Sequence, residues 1–137
     1  MYWKSFMDPK IIDLNLIQSL SGNLIVASVL SEIPFVPKRM FLIHNVIDNN
    51  LVRGKHAHKE CHQFLVASSG SLTVNYRNKT MNEMVILDNP NIGLYLPPLT
   101  WSEQTQYNPD TVLLVLASHD YDEADYIRDY DDFINYE

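Results

Sequence analysis

Seven short apolar runs separated by turn residues set the strongest limit on how this 137-residue chain can fold. They are "NLIVASVL", "RMFLIHNVI", "HQFLVASSG", "SLTVNYR", "EMVILDNP", "IGLYLPP" and "TVLLVLASH", bounded by "SG", "DNN", "SSGS", "RNK", "DNPN" and "PP". Val, Ile, Leu, Tyr and Thr dominate the runs, and such side chains pack well on a pleated surface, whereas Gly, Pro, Asn and Asp favour turns. The regular short spacing predicts an all-β antiparallel sandwich or barrel. Clear amphipathic helices do not alternate with the strands. Neither G-x-G-x-x-G, G-x-x-x-x-G-K-[ST] nor G-x-S-x-G occurs, which argues against a nucleotide-binding α/β fold. The length suits a single domain over residues 1–137.

Hydrophobic residues make up 46% and charged residues 20% of the chain, a balance that supports a packed core rather than disorder. The formal charge of −7 is concentrated in the tail "SHDYDEADYIRDYDDFINYE", and the rest is close to neutral. That acidity argues against sequence-independent binding to nucleic acid. Cys61 is the single cysteine, so neither an intramolecular disulfide nor a four-thiolate zinc site can form, which fits a reducing cytoplasm. No apolar run approaches the roughly 18 residues of a membrane span, and the expectation is an unexported, soluble protein. In the tail, Tyr126, Ile127, Tyr130 and Phe133 recur at spacings of three and four. This pattern predicts a short C-terminal helix packed on the outside of the sheet, with Asp120 and Asp122 as caps and no catalytic role.

The stretch "RGKHAHKECHQ", residues 53–63, carries the chemistry. On an extended strand, side chains two apart share a face and lie about 6.5 Å apart, so His56 and His58 point the same way. If that face is the inside of a barrel, two imidazoles converge on a cavity with Arg53 or its neighbours close by. Imidazoles titrate near neutral pH and suit proton transfer. His62 has the same parity but lies further along.

The histidine pair, Gln63 and Gly70 resemble the first motif of the cupin superfamily, and "GLYLPPLTW" followed by Ser102 resembles its second. The resemblance implies a cupin jelly roll with a short C-terminal helix. The positions that hold a metal in metal-binding cupins carry His56, His58, Gln63 and Ser102. Amide and hydroxyl are weak neutral ligands, so no functional metal is expected.

The whole chain resembles the cofactor-independent sugar nucleotide 3,4-ketoisomerases of that superfamily, through "IPFVPKRMF", "RGKHAHK", "HQFLVASSGSLTV", "GLYLPPLTW" and "VLLVLASHDYDEADYIRDYDDF". This resemblance implies a cytoplasmic enzyme acting on a dTDP-linked 4-keto-6-deoxyhexose. The carbonyl moves from C4 to C3 through an enediol, without a cofactor, toward 3-amino-3,6-dideoxy sugars for surface polysaccharide or glycan such as lipopolysaccharide. It also implies a homodimer with exchanged N-terminal strands. By the same resemblance His56 and His58 transfer protons, in unassigned order. Arg39 and Arg53 hold the diphosphate, and Tyr95 and Trp101 contact substrate. The chain departs from the family at Phe41 and Leu42, where a tyrosine pair is usual, and at Ser102, where histidine is usual. It departs again near the start, where Ser21 and Ser28 replace an "RG" and a following Glu. His44 shares the strand parity of Leu42 and is a candidate replacement. Alternative readings are a non-catalytic sugar nucleotide binding cupin and an epimerase acting at C3 or C5. The C4 configuration of the product stays open.

Overall fold

A computed structural model describes residues 8–137. Each of the seven apolar runs contains a strand: β3 (Gly22–Val26), β4 (Arg39–His44), β6 (Gln63–Ser69), β7 (Leu72–Arg77), β8 (Asn82–Leu87), β9 (Ile92–Leu96) and β11 (Val112–Ala117). The histidine stretch forms β5 (Arg53–His58). The remaining strands are β1 (Lys10–Asp13), β2 (Asn15–Ser19), β10 (Trp101–Thr105) and β12 (Tyr126–Ile127).

Two five-stranded antiparallel sheets form, in the orders β1-β9-β6-β11-β4 and β12-β5-β10-β7-β8, and β2 and β3 make a separate hairpin. Side chains that alternate inward from both sheets meet in one core. Leu65, Leu94, Leu113 and Val115 come from the first sheet, and Leu72, Val74, Tyr76 and Leu87 from the second. This is a jelly-roll sandwich: the spacing of the apolar runs predicts an antiparallel sandwich or barrel, and the cupin resemblance implies the jelly roll.

Gly70 carries the chain from one sheet to the other. Its φ of 73° lies in the left-handed region, and a Cβ there would sit 2.5 Å from Thr111 Cα and 2.8 Å from its nitrogen. Only glycine permits both the backbone angle and this approach. Thr111 closes the corner: its hydroxyl donates to the Ser71 carbonyl at 2.8 Å and accepts from the Ser71 amide at 3.0 Å.

The tail differs from the sequence expectation. The helix α1 (Tyr130–Asn135) is shorter than the apolar stripe suggested, and its N-cap is Asp129, whose carboxylate accepts from the Asp132 amide. Asp122 caps a separate 3₁₀ turn, Glu123–Asp125, and Asp120 caps neither element. Tyr126 and Ile127 lie on a strand, where neighbours point to opposite faces, so they share no helical stripe. The packing of α1 does follow the expectation. Phe133 is buried against Ala57, Trp101 and Ile127 on the outside of the second sheet, while Asp131 and Asp132 stay in water.

Gly70→Ala is expected to lower the unfolding free energy by about 3 kcal/mol, because it adds both backbone strain and overlap. The denaturant midpoint measures this; a loss below about 1 kcal/mol would show that the corner yields.

Candidate active site

A β-bulge in β5 builds the polar wall of the cavity. Gly54 and Lys55 both have positive φ, at 87° and 55°. Across the ladder His56 pairs with Ser102 while Gly54 pairs with Glu103, so Lys55 is the extra residue. Arg53 and His56 are three apart and would face opposite sides of a regular strand. The bulge brings both to the cavity. Gly54 also passes close to β10, where a Cβ would lie 3.1 Å from the Ser102 carbonyl oxygen.

His56 and His58 share the inner face, with ring centroids 5.0 Å apart and edge to face, as their parity predicts. Each ring is fixed by an acceptor. The Gly54 carbonyl lies 2.9 Å from His56 Nδ1, and the Asp125 carboxylate lies 2.8 Å from His58 Nδ1. Carbonyl and carboxylate oxygens only accept, so Nδ1 carries the proton in both rings and Nε2 presents its lone pair. His58 Nε2 is buried and has no hydrogen-bond partner among the described residues.

Burial pushes the His56 pKa down to about 4, reinforced by repulsion from His58 and offset by the Gly54 carbonyl. Burial lowers His58 as well, against the opposing pull of Asp125. Both imidazoles are therefore neutral at pH 7 and able to accept protons.

The acidic tail completes the site. The other Asp125 oxygen accepts from the Glu60 amide at 2.7 Å, and the Asp125 carbonyl accepts from the Lys59 amide at 2.8 Å. β12 then pairs with β5, Tyr126 opposite His58 and Ile127 opposite Ala57. Tyr126 turns inward, its ring 4.3 Å from that of His58 and 5.0 Å from that of His56. Arg128 follows with the same parity and lays its guanidinium 4.1 Å from the Tyr126 ring centroid. A cavity of about 230 Å³ results, walled by Phe41, His56, Gln63, Gln104 and Tyr126, with exposed Arg53 and Arg128 at its edge.

Not every residue singled out in the sequence reaches this cavity. Arg39 faces inward beside Phe41, 5.5 Å from that ring, and its charge acts on His58; its Nε is buried without a partner among the described residues. Tyr95 is a correction: it lies on the outer face of the first sheet with Phe35 and Phe64, bonded through its hydroxyl to His62 at 2.7 Å. Trp101 is another. It packs against Tyr130 and Phe133 on the outer face of the second sheet and donates its indole proton to Glu103 at 2.9 Å. Leu42 and His44 are exposed on the outward side of β4, so His44 adds nothing to the cavity, whereas Phe41 faces in. Asp125, Tyr126 and Arg128 went unassigned in the sequence, although "DEADYIRDY" contains all three.

Among the four cupin metal positions, His56 and Gln63 line the cavity and His58 and Ser102 are buried beside it. Two imidazoles are left with an amide and a hydroxyl, both weak ligands, so this set fits a divalent ion poorly. The Asp125 carboxylate is engaged on Nδ1 of His58. Cys61 Sγ lies within 4.8 Å of both ligand atoms but donates to the His62 carbonyl.

Fold and site together define a cupin-type jelly roll with an imidazole pair where others of its class hold a metal. The chain belongs to the family described as FdtA: WxcM-like, C-terminal, whose model matches residues 7–137. It is 38% identical over 130 residues to the TDP-4-oxo-6-deoxy-alpha-D-glucose-3,4-oxoisomerase of Aneurinibacillus thermoaerophilus, covering 95% of this chain and 93% of that protein. A 3,4-ketoisomerase from Helicobacter canadensis has a solved structure with a TM-score of 0.87 and 39% identity, over 93% of this chain and 96% of that one. The WlaRB TDP-quinovose 3,4-ketoisomerase of Campylobacter jejuni matches equally, with a TM-score of 0.87 and 39% identity over 93% and 97% of the two chains. All three relatives are isomerases, so the family is one of enzymes. Among the described residues, no helix is long and apolar enough to cross a membrane.

Unfolded His56 takes up its proton near pH 6.5, whereas the folded form does so only near 4. Between these values the unfolded chain binds more protons, so stability rises with pH. Acidification across this window is expected to remove up to about 3 kcal/mol through this group. His56→Asn should flatten that part of the profile in urea unfolding at stepped pH; equal slopes in the two proteins would contradict it.

Proposed function

We propose that the chain isomerises a TDP-linked 4-keto-6-deoxyhexose, moving the carbonyl from C4 to C3. The observation that carries this reading is a cavity with neutral His56 in its wall, the His58–Asp125 pair behind it and two arginines at its edge. The activities named for the relatives agree with it.

The carbonyl at C4 acidifies the proton on C3. His56 lines the cavity and takes that proton on Nε2, and the electron pair of the C3–H bond forms the C3–C4 enediolate. His56 then returns a proton to C4 while the hydroxyl proton passes from O3 to O4. His58, whose imidazolium Asp125 stabilises, carries that second transfer. One carbon is oxidised and its neighbour reduced, so no external electron carrier enters. His56 is a weak base in the free protein, and the negative charge of diphosphate and enediolate raises its pKa as the reaction proceeds.

At about 230 Å³ the cavity is smaller than the ~300–1,000 Å³ typical of drug-sized ligands, so it takes the hexose and leaves the nucleoside outside. Arg39 and Arg53 hold the diphosphate, since guanidinium presents a charged fork to phosphate oxygens. The 3-keto product suits amination at C3 toward the 3-amino-3,6-dideoxy sugars of surface glycans, and a cytoplasmic location belongs to the same reading.

Incubation with TDP-4-keto-6-deoxyglucose in deuterated water should give a 3-keto product carrying solvent deuterium. His56→Asn should lower kcat by about 10²–10⁴ while thymidine diphosphate still binds. Nucleotide binding without turnover would point instead to a non-catalytic cupin, and a carbonyl that stays at C4 beside an inverted centre would point to an epimerase.

We also infer a homodimer with exchanged N-terminal strands. Supporting it, the β2–β3 hairpin exposes Leu16, Ile17, Leu20 and Leu24, and the outer side of β4 exposes Met40 and Leu42. Light scattering should read the mass of two chains, and a one-chain mass would remove the dimer from the reading.

A further inference from the structure

We propose that Arg128 is a ligand for the substrate's diphosphate, and that Glu123 holds it until the substrate displaces the carboxylate. The inference rests on the isomerase reading and names a third cation for that site.

In the free protein Arg128 makes a two-pronged ion pair: Nε donates to Glu123 Oε2 at 2.7 Å and Nη2 to Oε1 at 2.9 Å. Tyr121 donates its hydroxyl proton to the same carboxylate at 2.6 Å. Both charged side chains are about half exposed, 50% for Arg128 and 58% for Glu123. Exposed pairs of this kind contribute little, because water screens the charges and two long side chains must be ordered. The contact is thus poorly suited to bracing the tail, which Asp125 already ties through three hydrogen bonds to His58 of β5 and to Lys59 and Glu60 just after it.

The position of Arg128 indicates what the pair is for. Its guanidinium stands at the edge of the cavity with Arg53 and lies over the Tyr126 ring, which touches both histidines. The attraction between cation and ring holds the guanidinium at the cavity edge without using its N–H donors, which can change partner. A diphosphate carries more charge than a carboxylate and accepts the same two parallel bonds. Glu123 is thereby a competitor for the cation and a source of repulsion toward the incoming anion. Arg128 lowers the proton affinity of His56 and Glu123 raises it. Neutralisation of Arg128 by phosphate relieves that suppression when the base is needed.

The two halves of the pair then act in opposite directions on binding. Calorimetry with thymidine diphosphate should show Glu123→Gln binding roughly two- to fivefold more tightly than the unaltered protein, because the competitor is gone. Arg128→Met should bind at least about tenfold more weakly. Loss of affinity in both variants would identify a structural brace and overturn the inference, as would unchanged affinity in either. The sign for Glu123→Gln decides the matter alone if Arg128→Met does not fold. Failure of the unaltered protein to bind thymidine diphosphate would remove the isomerase reading and this inference together. Binding that weakens in both variants while turnover persists would remove only the inference.

Discussion

The contact between Asp125 and the end of β5 supports the rest of the site. One carboxylate oxygen orients His58, the other holds the Glu60 amide, and the carbonyl of the same residue holds the Lys59 amide. These three bonds bring the acidic tail onto the edge of the second sheet, and the two-residue pairing of β12 with β5 extends from them. Tyr126 and Arg128 enter the cavity because that pairing sets their parity, and Ile127 joins Phe133 under α1 for the same reason. A buried imidazole with one orphaned nitrogen is costly on its own. The carboxylate on its other nitrogen fixes the tautomer that leaves the lone pair on Nε2.

Opposed electrostatic effects set the working state of the two histidines. Burial favours the neutral form of both, and mutual repulsion adds to it at His56. Asp125 acts the other way at His58 alone. Two rings of the same type, 5.0 Å apart, therefore have different capacities to hold a proton, as distinct roles in a two-proton exchange require. The cavity wall around them is mixed: Phe41, Ile43, Leu65 and Val115 come from the first sheet with Gln63 beside them, and Arg53 and Gln104 come from the second. An apolar wall raises the cost of stray charge, while the polar one matches a hydroxylated ring.

Strand alternation was legible because it follows from local chemistry. β-branched and aromatic runs between turn residues lead to a sandwich whatever the details of pairing. The shared face of His56 and His58 was legible for the same reason, since a period of two needs no knowledge of neighbours. Tyr95 and Trp101 show the limit of that reasoning. Both sit on strands, and which face looks inward depends on what covers the other: Phe35 and His62 over Tyr95, and α1 over Trp101.

The residues by themselves determined an antiparallel β architecture, a close imidazole pair on one strand face, and a metal position stripped of anionic ligands. Only the tertiary structure decided that Arg53 joins the pair, because the bulge at Gly54 and Lys55 breaks the parity that sequence counting assumes. It also decided that the tail serves the site. The link from His58 to Asp125 spans 67 residues, and a contact of that range leaves no periodic trace in the chain. The tail looked like a solvated acidic helix because its apolar spacing fits one, but pairing with β5 offered its backbone a better-satisfied conformation and turned Tyr126 and Arg128 inward.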